Sequence, residues 1–130
     1  MSKPFMQSDI LSTSIGIYYR TIEWLNQFII ILLDGIPPEA IVRRTKNEIV
    51  LVGGIIIRFC PAVENMRGQK FNKVFMQENI PMEFFYKVIS PTSIYGYRNV
   101  FVVDDNLKTI QRIDLYACSR ETKEKENNKE

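Results

Sequence analysis

The sequence lacks histidine, has only two cysteines and is nearly balanced in charge. Its 130 residues include no histidine, and the net charge is +2. Without histidine, the chain has no Ser-His-Asp or Cys-His catalytic pair and no imidazole ligand for zinc. The cysteines, Cys60 and Cys118, are too few for a four-cysteine zinc site and form no CxxC pair. Any catalysis must therefore rest on carboxylates, lysine, arginine, tyrosine or cysteine.

The charge and the apolar runs exclude further classes of protein. A net charge of +2 does not by itself indicate nucleic-acid binding. Residues 1–14 lack the apolar segment of a secretory signal, so we expect a reduced protein in the cytoplasm. The apolar run at residues 28–33 is too short to span a membrane, and Arg20 and Glu23 interrupt any longer window. We therefore expect no membrane contact.

Hydrophobic residues recur in steps of three and four near the N-terminus. This spacing predicts one long helix that starts at about Ile15 and ends before Gly35, where Pro37 and Pro38 follow. We expect its apolar stripe to pack on the core or, alternatively, to bind a partner. The stripe consists of Ile15, Tyr18, Ile22, Leu25, Ile29 and Leu32.

Short β-branched runs predict strands in the rest of the chain. The run NEIVLVGGIIIRF predicts a hairpin with a two-residue turn at Gly53-Gly54, because the favoured turns need positive φ. Residues 73–77 and 100–104 predict two further strands in the same sheet. Residues 109–117 alternate as an edge strand does.

These elements predict a single α/β or α+β domain over residues 1–118. The expected centre is a sheet of about five strands, with the long N-terminal helix packed on one face. Residues 39–46 favour a helical turn or a loop, and residues 81–89 favour a short helix that starts at Pro81. Residues 119–130 carry only charged and polar side chains, so we expect a disordered tail.

The order of segments between residues 21 and 80 resembles a known ATPase. A helix and a linker lead to the hairpin, Arg67-Gly68 and Phe71 follow, and the strand KVFMQEN then delivers Glu78. This order is similar to the middle of the ATPase domain of phage large terminase subunits, the motors that package DNA. The resemblance implies that this strand is the Walker B strand. It also implies that Glu78 stands where the family has its water-activating carboxylate.

Two departures from the family argue against catalysis. The P-loop motif G-x-x-x-x-G-K-[ST] does not occur, and Gln77 stands where the family carries its magnesium-binding aspartate. The resemblance therefore implies a phage-type protein without ATPase activity of its own and without a cofactor, in the host-cell cytoplasm. Its expected role is to bind DNA or a partner in the packaging motor. The residues expected to bind are Arg43, Arg44, Arg67, Gly68 and Glu78.

Each candidate side chain also has an ordinary structural interpretation. Glu78 can be an exposed carboxylate at a strand end, and Arg43 and Arg44 can belong to a solvated face. Asp104 and Asp105 can bind a divalent cation, but aspartates are also common turn formers. We expect the turn.

Two alternatives to the packaging role remain open at the level of sequence. One is a small phage-encoded protein-interaction or regulatory module, unrelated to packaging, that docks through the helix stripe or through the aromatic residues between 84 and 97. A weaker one is a metal enzyme that uses Glu78 together with Asp104 or Asp105.

Overall fold

A mixed β-sheet forms the centre of the molecule in a computed structural model that describes residues 13–63 and 69–116. One helix packs on each face of the sheet, and sheet and helices together make a single α/β domain. The helices are α1 (Ile22–Asp34) and α2, which runs through Met82–Phe84 and Phe85–Ile89 to Ser90–Thr92. The strands are β1 (Ser14–Tyr19), β2 (Ile41–Arg44), β3 (Glu48–Leu51), β4 (Ile55–Pro61), β5 (Lys73–Gln77), β6 (Val100–Val103) and β7 (Ile110–Arg112).

Four parallel strands occupy the middle of the sheet, in the overall order β2-β3-β4-β1-β5-β6-β7. β1 pairs in parallel with β4 on one side and with β5 on the other, and β6 is parallel to β5. Antiparallel strands form both edges. The chain leaves β1 through α1 and leaves β5 through α2, in opposite directions across the sheet. The strand order therefore reverses between β1 and β5, as in doubly wound α/β folds.

The two faces of the sheet carry separate hydrophobic cores, because successive side chains of a strand alternate between faces. On one face, Ile17 of β1 packs with the buried Trp24 of α1. On the opposite face, Tyr18 and Met76 pack with Ile89 of α2. The expected packing of α1 on one face of the sheet is confirmed.

The predicted N-terminal helix is wrong over its first part. Residues 14–19 form β1, and the helix begins only at Ile22. Thr21 is the residue that caps α1, because its Oγ1 accepts a hydrogen bond from the backbone N–H of Trp24 at 3.4 Å. The C-terminal end of the helix is predicted correctly, since Gly35 follows its last turn and donates its N–H to the carbonyl of Leu33.

The predicted hairpin is present, but its loop is one residue longer than expected. Leu51 of β3 pairs with Ile55 of β4, so Val52, Gly53 and Gly54 form the loop. The two glycines have φ values of 90° and 80°, which lie in the left-handed region that favours glycine. The expected need for positive φ is therefore confirmed, and the two-residue length is wrong.

The sheet has seven strands rather than about five, because the sequence pattern predicts neither β1 nor β2. Residues 41–44, where a helical turn or loop is expected, form the edge strand β2 behind a 3-10 turn at Pro38–Ala40. The expected edge strand at 109–117 is shorter than predicted, since β7 ends at Arg112 and helical residues follow.

The helix predicted at residues 81–89 is present and extends to Thr92. No helix in the described part of the chain is long and apolar enough to cross a membrane. The predicted tail at residues 119–130 lies outside the described residues, as does Cys118.

Candidate functional site

The carboxyl ends of β1, β5 and β6 meet at one edge of the sheet, where the strand order reverses. Since these strands are parallel, the residues that follow them lie side by side. In doubly wound folds, ligands bind in the crevice at this position. The edge consists of Arg20 and Thr21 after β1, Gln77 and Glu78 at the end of β5, and Asp104 and Asp105 after β6.

Gln77 joins these strand ends through both the oxygen and the nitrogen of its side-chain amide, and the residue is only 1% exposed. Its Oε1 accepts hydrogen bonds from the backbone N–H groups of Arg20 at 2.7 Å and Thr21 at 3.1 Å. Its Nε2 donates to Thr21 Oγ1 at 3.3 Å and to Asp105 Oδ1 at 3.0 Å. All four hydrogen-bonding positions of the amide are therefore used. Gln77 acts as a cross-link between β1, β5 and β6.

Arg20 and Asp105 form the outer layer of the same network. Nη2 of Arg20 lies 3.1 Å from Oδ1 and 3.3 Å from Oδ2 of Asp105, and Arg20 Nε donates to the carbonyl of Glu78 at 3.1 Å. Because the charged side chains of the pair are 35% and 43% exposed, the ion pair itself stabilises the fold only weakly. Its structural effect is to hold the Asp105 carboxylate against the Gln77 amide.

Glu78 lies at this edge, close to the two aspartates. Its Oε1 accepts a hydrogen bond from the backbone N–H of Asp105 at 2.9 Å, and the residue is half-buried rather than exposed. Asp104 has a different role, because its Oδ1 accepts from the backbone N–H groups of Lys108 at 2.8 Å and Thr109 at 3.3 Å. These bonds make Asp104 a turn former, as expected.

Two other predicted binding residues are not part of the hydrogen-bond network around Gln77. Arg43 and Arg44 belong to the edge strand β2, and Arg43 forms an ion pair with Glu48 of β3. Arg67 and Gly68 lie outside the described residues. Of the three residues expected to bind that the structure describes, Glu78 therefore lies beside Gln77, and the two arginines lie on β2.

The geometry of the carboxyl edge suits a structural cross-link better than a cation site. In residues 13–63 and 69–116, no group of three or more Asp, Glu, Cys or His side chains could hold a metal ion. A carboxylate at position 77 would offer hard oxygen ligands. The Gln77 oxygen, in contrast, is occupied by two backbone N–H groups.

Arg20 and Thr21, which supply three of the four partners of Gln77, are missed by reasoning from the sequence. The apolar residues from Ile15 onward have helical spacing across the end of β1, so the pattern does not show where the strand ends. A local signal for it does exist, because Thr is a favoured N-cap residue and Glu23 follows in the first turn of α1. That pair marks a helix start after Arg20, and therefore an element boundary at the candidate site.

Comparison with models of protein families, with curated proteins and with solved structures found no match to the chain.

Proposed function

We propose that this chain is a non-catalytic binding domain, related to the Walker B half of a phage terminase ATPase domain, that contacts a protein partner in the packaging motor. The observation that carries this proposal is the burial and the complete hydrogen bonding of the Gln77 side chain. At the position of the metal-binding acid the chain has a buried amide, and all of its hydrogen bonds are made within the protein.

Kinship with the motor requires Glu78 at a carboxyl edge beside parallel strands, and the sheet supports this. β5 and β6 are parallel neighbours, with Gln77 paired to Val103. The hairpin of β3 and β4 adjoins the parallel strands on the other side of β1. Glu78 therefore follows its strand at the same edge as Asp105.

An apolar surface on the outside of the molecule supports a protein partner. Ile30 and Ile31 of α1 are 68% and 58% exposed, and Ile110 of β7 is 61% exposed. Ile31 and Ile110 also line an apolar groove of about 200 Å³ between α1 and the sheet. Exposed apolar side chains beside such a groove are typical of protein-binding surfaces. DNA is a weaker candidate, since of the two arginines predicted to bind, one, Arg43, is neutralised by Glu48.

Phosphate release from ATP in the presence of magnesium tests the lack of catalysis. We expect the chain and its Glu78→Gln variant to give the same background rate, because the chain has no P-loop motif and carries Gln77 in place of the metal-binding acid. Glu78→Gln is the control because the resemblance assigns water activation to Glu78. A wild-type rate that exceeds background and is lost in Glu78→Gln would overturn the proposal.

Calorimetric titration with a terminase ATPase fragment that carries the P-loop tests the partner. We expect Ile31→Lys to weaken binding by at least about tenfold, because a buried charge replaces an apolar contact. Tyr97→Lys, on a different surface, is the matched control and should bind like the wild type. Failure of the wild-type chain to bind would exclude this partner, and tight binding to a DNA duplex instead would favour DNA.

A protein-interaction module unrelated to packaging is the second candidate, and three exposed tyrosines favour it. Tyr86, Tyr95 and Tyr97 are 64%, 54% and 57% exposed, and tyrosine is enriched in protein interfaces. In the titration above, this alternative predicts no binding to the terminase fragment by either the wild type or the variants.

A further inference from the structure

A cavity of about 570 Å³ lies between α1 and the turn that joins β2 to β3. Its walls include Tyr19 at the end of β1 and Phe59 near the end of β4. It therefore lies near the carboxyl ends of β1 and β4, which are adjacent parallel strands. We call it the basic cavity, after Arg44 and Lys46 in its lining.

The two cations of the basic cavity have no counter-ion in the described part of the chain. Neither Arg44 nor Lys46 forms an ion pair there, whereas Arg43 and Arg58 both pair with Glu48. Arg44 and Glu48 lie on opposite faces of the sheet, because successive side chains of a strand alternate between faces. Arg44 is the cross-strand partner of Ile49, whose side chain belongs to the core under α1, and Glu48 precedes Ile49 on β3. The described lining of the cavity includes no carboxylate.

The turn that carries these cations is held by its own hydrogen bonds. Thr45 Oγ1 accepts from the backbone N–H groups of Asn47 and Glu48, each at 3.2 Å. The Thr45 N–H donates to the Glu48 carbonyl at 2.9 Å. The backbone at Arg44 and Lys46 is thus arranged before any ligand binds, which lowers the entropic cost of binding.

The rest of the wall combines apolar side chains with two amides and with the hydroxyl-bearing Tyr19 and Thr45. Ile22 and Ile29, at the start of α1 and two turns further along it, contribute aliphatic surface, and Phe59 contributes an aromatic ring. Asn26 and Asn47 add hydrogen-bonding groups. Apolar side chains and polar groups that face one cavity can contact the two parts of an amphipathic small molecule.

We propose that the basic cavity binds a small organic anion in which one phosphate or carboxylate group is joined to a flat apolar body. Arg44 and Lys46 contact the anionic group, and the wall of Ile22, Ile29 and Phe59 contacts the apolar body. The site is separate from the Gln77 network and from the apolar groove at Ile31, so it does not depend on the proposed packaging role.

Two other concave surfaces formed by the described residues do not combine these features. The groove at Ile31 has an apolar lining without a charged group, and the cavity at Tyr86 and Tyr97 includes the carboxylate of Asp114. Compared with these two, the basic cavity is the one that offers complementary charge and apolar surface together to an anion with an apolar body.

Titration of the isotope-labelled protein with 1-naphthyl phosphate, followed by NMR, tests this proposal. We expect saturable shifts at the amides of Asn26, Arg44 and Asn47. Inorganic phosphate and 1-naphthol, each with half of the recognition features, should bind at least about tenfold more weakly, since each loses one set of contacts.

A pair of charge variants provides the control. Arg44→Gln combined with Lys46→Gln should weaken 1-naphthyl phosphate binding by at least about tenfold. Arg98→Gln combined with Lys108→Gln removes the same charge from exposed positions elsewhere and should leave binding unchanged. Equal weakening by both pairs, unchanged binding in the cavity variant, shifts confined to another surface, or inorganic phosphate binding as tightly as the aromatic ester would each overturn the proposal.

Discussion

Gln77 illustrates how a single side chain can determine what a strand edge is able to do. Two of its hydrogen bonds are accepted and two are donated, so it is matched to an environment of two N–H groups and two oxygen atoms. A carboxylate has the same shape but only accepts. The amide is therefore required by the neighbouring Asp105, and it is not a neutral replacement for an acid.

Gln77→Glu should destabilise the protein by about 2–4 kcal/mol at neutral pH, because a buried carboxylate would face the Asp105 carboxylate without a donor between them. The free energy of unfolding in urea, followed by Trp24 fluorescence, measures this. The loss should shrink as the pH falls, since the introduced carboxyl group, once protonated, can again donate a hydrogen bond to Asp105.

Glu78→Gln is the matched control, since it makes the reverse change at the half-buried neighbouring residue. It should change stability by less than about 1 kcal/mol, because the amide oxygen of glutamine can still accept the Asp105 N–H. Equal stability of Gln77→Glu and the wild type at neutral pH would show that the Gln77 network does not hold the strand ends.

Tyr18, which packs in the core under α2, provides a second prediction at the scale of single residues. Burial raises the pKa of the Tyr18 phenol to about 12, against the opposing effect of its hydrogen bond with Thr92. The unfolded chain therefore loses this proton first as the pH rises. The stability contributed by neutral Tyr18 is complete below about pH 10 and is lost between about pH 10 and pH 12.

The two-unit difference corresponds to about 3 kcal/mol at most. Unfolding midpoints in urea at about pH 9 and about pH 11 should therefore fall less for Tyr18→Phe than for the wild type. All other titrating groups are common to both proteins, so the difference isolates Tyr18. Parallel losses in the two proteins would contradict a buried, neutral phenol.

At the scale of secondary-structure elements, the sequence identifies the hairpin, β5 and β6 but not β1. The residues Ile15, Ile17 and Tyr19 share the face of β1 that packs under α1. Ile15 and Tyr18 also match the helical steps of three and four that continue into α1. The strand period and the helical period therefore overlap where β1 leads into α1. Local pattern alone cannot separate them, because β1 is specified by its pairing with β4 and β5, about 40 residues or more away in sequence.

The candidate site is only partly predictable for the same reason. The end of the strand at Glu78 and the turn at Asp104 can be recognised from the neighbouring residues in the sequence. The partners of Gln77 cannot, since Arg20 and Thr21 lie 57 and 56 positions away in sequence. Strand order brings them together, and no local periodicity encodes strand order. The unexpected β2 is a similar case, because its arginines are exposed and give no apolar signal.

The hairpin loop allows a test of one element. Gly53→Val should destabilise the protein by more than about 1 kcal/mol, because a β-branched residue resists the observed φ of 90°. Val52→Ala in the same loop is the control and should have little effect, since Val52 is 60% exposed. Thermal unfolding followed by circular dichroism measures both. A Gly53→Val variant as stable as Val52→Ala would mean that the loop adapts without strain.

At the scale of the whole molecule, two hydrophobic cores share one sheet. The core under α1 contains Trp24, the only tryptophan of the chain. The core under α2 contains the fully buried Ile89. β1 contributes to both, with Ile17 on one face and Tyr18 on the other. Loss of packing on either face should therefore release the strand that organises the other.

Ile89→Ala tests this coupling, because it creates a cavity on the face opposite the tryptophan. We expect a loss of about 2–5 kcal/mol in the free energy of unfolding. Trp24 fluorescence and far-ultraviolet circular dichroism should give one coincident urea transition with an unchanged m-value, as two-state unfolding of a single domain requires. A fluorescence transition that stays at the wild-type midpoint while the circular dichroism transition moves would instead show that the cores on the two faces of the sheet unfold independently.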